Sequence, residues 1–176
     1  MSPKSFNLLR ILAAVFVVLL AGNLCMAQTG QESTNFKMLQ AGKEELIQVD
    51  RDFAGMAADS GVAKAFTWYA ADSATMLRRG SAPIVGHEAI RSLFADETES
   101  ALLWSPYFAD LAASSDIGYT LGTSQYVYKD STGTQKISYG YYVTIWKKQT
   151  DNSWKYVLDT GVSAPPPPET QPAKKP

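Results

Sequence analysis

The chain has 176 residues, 45% of them hydrophobic and 19% charged, which suits one globular domain and is too apolar for a fully disordered chain. Its 16 basic and 17 acidic side chains leave a net charge of −1, without the concentrated basic surface that nucleic-acid binding requires. A single cysteine and a single histidine exclude an internal disulfide framework, a cysteine-based zinc site and a multi-histidine metal centre, so no metal or cofactor is expected.

Lys4 and Arg10 flank a short basic start, and residues 11–21 are an uninterrupted apolar run. That run suits a signal peptide and is short for a membrane span, which needs roughly 20 apolar residues. Cys25 and Ala27 fit the small residues expected before a cleavage point, so residues 1–27 read as a signal peptide and Gln28 as the mature start. The expected location is periplasmic or secreted, with no membrane contact after cleavage. Two alternatives stay open: lipidation at Cys25, disfavoured by the bulky Leu24 before it, and an uncleaved N-terminal anchor.

Residues 28–39 read as a polar linker, residues 40–163 as the folded domain, and residues 164–176, rich in proline, as an extended tail. Leu46, Val49, Phe53 and Met56 fall on one helix face, with Glu44 and Glu45 near the positive helix end and Gly61 marking the stop. Val62, Phe66 and Tyr69 repeat the pattern in a short second helix. Residues 74–77 read as a brief strand, and residues 78–83, with Arg78 and Arg79, as a loop. A third helix starts after Gly86, with Ile90, Leu93 and Phe94 inward.

The second half reads as strand. Residues 102–112 carry Trp104 and Phe108. Residues 118–129 and 136–148 are rich in aromatic and β-branched side chains and are joined by a hairpin at 130–134. Residues 154–160 form the last strand. Helices followed by a meander predict an α+β domain, three N-terminal helices packed on one face of a curved antiparallel sheet.

The order of these elements and several local strings resemble the nuclear transport factor 2-like superfamily, the SnoaL-like or cystatin-like cones, and within it the family known as domain of unknown function 4440. The resemblance covers residues 40–163. It rests on Val49-Asp50-Arg51-Asp52-Phe53, Tyr69-Ala70-Ala71-Asp72-Ser73-Ala74, Gly86-His87-Glu88-Ala89-Ile90, Asp116-Ile117-Gly118-Tyr119-Thr120-Leu121-Gly122 and Gly140-Tyr141-Tyr142-Val143-Thr144-Ile145-Trp146, continuing to Asp159. It implies a pocket between the helices and the concave sheet face, and dimerisation through the sheet. Members of the superfamily include isomerases, dehydratases, hydrolases and oligomerising modules, so the fold names no activity.

Candidate chemistry is sparse. Asp50, Asp72 and Asp159 are the carboxylates weighed as a base in an apolar cone, where burial raises a pKa, with Asp159 and Asp50 kept as the candidates. Asp50, on a helix beside Arg51, reads first as solvated, and Asp72 as a local cap. Asp159 reads first as a strand-end hydrogen-bonding group. His87, in the first turn of a helix, reads as a surface residue, and Asp96, Glu97 and Glu99 as a solvated run. In residues 136–148, Tyr142, Thr144 and Trp146 share one face, and Tyr139, Tyr141, Val143 and Ile145 the other. Phe53, Trp68, Trp104, Tyr119, Tyr142, Trp146 and Asp159 are the expected pocket residues. The first functional reading is a non-catalytic module that binds a small apolar or aromatic ligand or forms a homodimer. The second is a lyase, isomerase or hydrolase with an aspartate base and a tyrosine acid.

Overall fold

The computed structural model describes residues 34–95 and 101–168. The signal-peptide reading of residues 1–27, the start of the linker, the acidic run and the end of the tail lie outside them. Helix α1 covers residues 34–60, and so includes part of the expected linker. A helix, once nucleated, extends at little cost per residue. Contacts divide the chain into two units, and the fold described from here on is that of Gly42–Pro176.

After Gly61 follow α2 (Val62–Tyr69), β1 (Ala70–Leu77), β2 (Ile84–Val85), α3 (His87–Leu93), β3 (Ala101–Leu111), β4 (Ile117–Lys129), β5 (Gln135–Lys148) and β6 (Trp154–Ala164). They form one six-stranded sheet in the order β2-β1-β6-β5-β4-β3. The sheet is mixed, which corrects the expected wholly antiparallel one. β3 to β6 form the antiparallel meander, but β6 returns to lie parallel to β1, with Met76 opposite Asp159. The pairing also explains why β1 starts at Ala70, four residues earlier than its composition suggests. Ala70, Ala74 and Met76 are buried.

The turns follow local chemistry. In the β4–β5 hairpin, Asp130 Oδ1 accepts from the N–H groups of Thr132 and Thr134 at 2.9 and 3.0 Å. Before β6, Asn152 adopts φ 66°, a left-handed conformation that asparagine tolerates.

The core is built around Phe53. Its ring meets Phe66 and Trp104 edge-on at 4.7 Å, lies 4.9 Å from Tyr69, and stands against Trp146 at 6.0 Å. Such edge-on aromatic contacts each contribute about 0.5–1.5 kcal/mol beyond area burial. The buried stripe of α1 is Leu46, Asp50, Phe53 and Ala57, while Val49 and Met56 are only half-buried. The stripe is thus turned by one residue from the expected one, and it takes a carboxylate into the interior.

Candidate functional site

Asp50 is fully buried, a correction to its reading as a solvated helix residue. Three sheet side chains make that burial tolerable. Trp104 on β3 donates its indole N–H to Oδ1 at 2.9 Å, and the Tyr142 hydroxyl on β5 donates to Oδ2 at 2.9 Å. The Thr120 hydroxyl on β4 is the third donor. Thr120 itself accepts from Trp146 Nε1 at 3.0 Å, so three side chains from three strands converge on one carboxyl and a fourth braces one of them. Burial nevertheless outweighs these donors and raises the Asp50 pKa above the usual carboxylate range.

Asp159 on β6 lies in the neighbouring row. The registers place Thr120, Thr144 and Asp159 side by side across β4, β5 and β6. Thr144 donates its hydroxyl to Asp159 Oδ2 at 2.7 Å. Burial, with a smaller push from the Asp50 charge, raises Asp159 to about 6, against the hydrogen bond from Thr144 and the charge of Arg78. Tyr142 is raised well above the ordinary phenol range, first by burial and then by Asp50, so it keeps its proton throughout the physiological range.

The next row shows how Tyr142 is aimed. It stands between Gly122 on β4 and Gly161 on β6. A Cβ at Gly122 would overlap Cε1, Cζ and the hydroxyl of Tyr142, so the ring lies over the bare backbone of β4. These residues border a cavity of about 430 Å³ between the helices and the concave sheet face. Phe53, Phe66, Met76 and Leu102 supply its apolar wall; Trp104, Tyr142 and Asp159 its polar groups; Arg78 and Arg79 its exposed rim. A cavity of this size suits a small organic molecule.

Comparison with known proteins bears on the fold. No family model matches the chain, and no curated protein matches it by sequence. Solved structures do match. A ketosteroid isomerase-like protein from Erwinia carotovora atroseptica superposes with a TM-score of 0.58 at 12% identity, over 68% of this chain and 95% of the other. An NTF2-like protein with a cystatin-like fold from Novosphingobium aromaticivorans gives 0.55 at 18% identity, over 67% and 79%. The association domain of C. elegans CaMKII gives 0.55 at 15% identity, over 70% and 97%. The chain has the nuclear transport factor 2-like cone fold. At these identities the likeness extends to the fold alone, and it does not support the narrower resemblance to the family of unknown function 4440.

Within this nuclear transport factor 2-like cone, Phe53, Trp104, Tyr142 and Asp159 meet at the cavity, with Asp50 beneath them. Three expected pocket residues do not. Trp146 is fully buried and packs below Phe53. Tyr119 is on the opposite sheet face, its ring 6.0 Å from Phe108. Trp68 is 62% exposed and lines a separate cleft, with the Lys155 ammonium 4.9 Å from its ring centroid. His87 is exposed and its Nε2 lies 3.1 Å from the Ala70 carbonyl, while Asp72 is an exposed residue of β1 rather than a helix cap. Sequence reasoning overlooked Thr120, Thr144 and the arginines of the rim. A threonine between Tyr142 and Trp146 on an inward face was a signal, because a buried hydroxyl needs a partner.

The role of Gly122 is directly testable. Gly122→Ala should destabilise the fold by about 1 kcal/mol through overpacking. It should also swing Tyr142 off Asp50, visible as a changed near-ultraviolet circular dichroism band. An unaltered band would show that the ring does not depend on the glycine.

Proposed function

We propose that the cone is an acid–base site for a small, largely apolar substrate bearing a carbonyl-type oxygen. The observation that carries this reading is Asp159: a carboxyl in the cavity wall held at about 6, beside a tyrosine hydroxyl bonded to a second raised carboxyl. A base works best with a pKa near the operating pH, and an apolar site gives a carboxylate that value. In this reading Asp159 takes a proton from carbon next to the carbonyl, and Tyr142 donates to the oxygen where negative charge develops. Tyr142 has one proton and directs it at Asp50. It can turn that proton to the substrate when Asp50 is itself protonated and donates to the phenol oxygen, and the 2.9 Å separation serves either direction. Asp50 is therefore assigned the protonated form in the working complex.

The test is incorporation of solvent deuterium next to the carbonyl of small aryl ketones, followed by NMR. Incorporation should rise with pH through about 6 as Asp159 deprotonates, and vanish in Asp159→Asn. Ketones that bind without exchanging would overturn catalysis and leave a binding module.

A second reading, association between copies, is favoured by a different observation. The sheet face opposite the cavity exposes Leu103, Phe108 and Tyr141. Large exposed apolar patches mark interaction surfaces, and tyrosine is favoured in them. Light scattering should then report a dimer, and Tyr141→Asp should return a monomer. Export is part of the same proposal, resting on Lys4, Arg10 and the apolar run at 11–21. Intact mass of the exported protein should place its N-terminus at Gln28, and retention of Met1 would reject cleavage.

A further inference from the structure

The acid–base reading leaves the rim of the cavity unexplained. β1 ends at Leu77, and the next two residues, Arg78 and Arg79, both border the opening. Their turn is fixed. The Ser81 N–H and hydroxyl both donate to the Arg78 carbonyl, at 3.3 and 3.2 Å, and Gly80 takes the positive φ of 77° that the turn requires. The Arg78 guanidinium is also steadied over the Phe94 ring, 4.8 Å from its centroid. Among the described residues neither arginine forms an ion pair. The serines 124, 138 and 163 border the same cavity, adding hydroxyl donors from β4, β5 and β6.

The cavity is therefore polarised along its depth. Its inner end carries Asp159 and Tyr142, its wall is aromatic and aliphatic, and its rim has two guanidinium groups that form no ion pair among the described residues, the Arg78 charge reaching Asp159 only at longer range. Guanidinium groups bind carboxylate and phosphate oxygens in a planar, two-pronged manner. We propose that the cavity takes an amphipathic oxyanion: a ring-sized apolar body directed inward, with a carboxylate or phosphate head held at the rim by Arg78 and Arg79. This rests on the reading of the cavity as the working site, and it adds the class of substrate. It also fixes orientation, because an anionic head is repelled by a deprotonated Asp159 and attracted by the rim.

The experiment compares three probes of similar shape, 2-naphthoate, 2-naphthyl phosphate and the uncharged 2-naphthamide, by quenching of tryptophan fluorescence. The full chain and the double variant Arg78→Gln/Arg79→Gln are titrated with each. One or both anions should bind the unaltered protein about tenfold more tightly than the amide, the advantage expected of charge-assisted hydrogen bonds. The arm that binds more tightly identifies the head as carboxylate or phosphate. In the double variant that advantage should fall below about twofold while amide binding is unchanged. Amide binding as tight as that of both anions, or an undiminished preference in the variant, would overturn the inference and leave the acid–base reading standing. No binding of any probe would overturn it together with the reading of the cavity.

Discussion

Asp50→Ala should be the most damaging single substitution in the cone, with an expected loss of about 3–5 kcal/mol of folding free energy. The variant deletes one acceptor group and strands three donors, the Trp104 indole N–H, the Tyr142 hydroxyl and the Thr120 hydroxyl. Each orphaned buried donor costs about 1–3 kcal/mol, and the void left by the carboxyl adds to that. Asp50→Asn should lose much less, because it keeps the shape and one acceptor oxygen and is uncharged, as burial already inclines Asp50 to be. Urea titration of the three proteins measures the difference. If the alanine variant lost under about 1 kcal/mol, water entering the cavity would be satisfying the donors, and Asp50 would not be what fixes Tyr142.

Asp50 also illustrates what the sequence could and could not disclose. An apolar residue on a helix declares its face, but a carboxylate does so only if its partners are known. Those partners are 54 to 92 residues away along the chain. Val49 beside it is the more apolar choice, which is why periodicity alone sets the stripe one residue off. The two faces of β5 were legible, since Tyr142, Thr144 and Trp146 alternate with Tyr141, Val143 and Ile145 and a period of two needs no tertiary information, but which face lines the cavity was not, because both carry aromatic side chains.

Strand β4 misled for a physical reason. Its inward positions are Gly118, Thr120 and Gly122, and its outward ones include Tyr119 and Leu121, the reverse of the usual pattern of large apolar side chains inside. Leu46 and the Tyr142 ring fill the space that β4 leaves open. Size and apolarity therefore pointed Tyr119 inward when the core had no room for it. The parallel pairing of β1 with β6 was hidden for another reason: Ala70–Ser73 carry little strand preference of their own and are ordered by a neighbour over 80 residues later.

Asp159→Asn should do the opposite of Asp50→Ala and stabilise the protein near neutral pH. In the folded chain the Asp159 carboxyl titrates at about 6, against an ordinary value of 3.8. Between those values the folded state holds a proton that the unfolded state has released. Its contribution is therefore fully present below about pH 4, declines as the pH rises through about 6, and above that becomes the standing cost of a charge in the cavity wall. Because Asp159 is only half-buried, that cost is discounted to about 1–3 kcal/mol. Asparagine carries no charge at any pH, and its amide oxygen can still accept from Thr144. The variant should melt several degrees higher than the unaltered protein at about pH 7.5, match it near pH 4, and decline less steeply between the two, keeping only the part that the raised Asp50 contributes. Parallel melting curves across that range would place the Asp159 carboxyl in a solvated environment and remove the base from the proposed mechanism. A gain confined to neutral pH would mean that the cone bears a destabilising carboxylate where an amide fits better. Such a carboxylate makes physical sense as a group that must lose and regain a proton close to the pH at which the protein works.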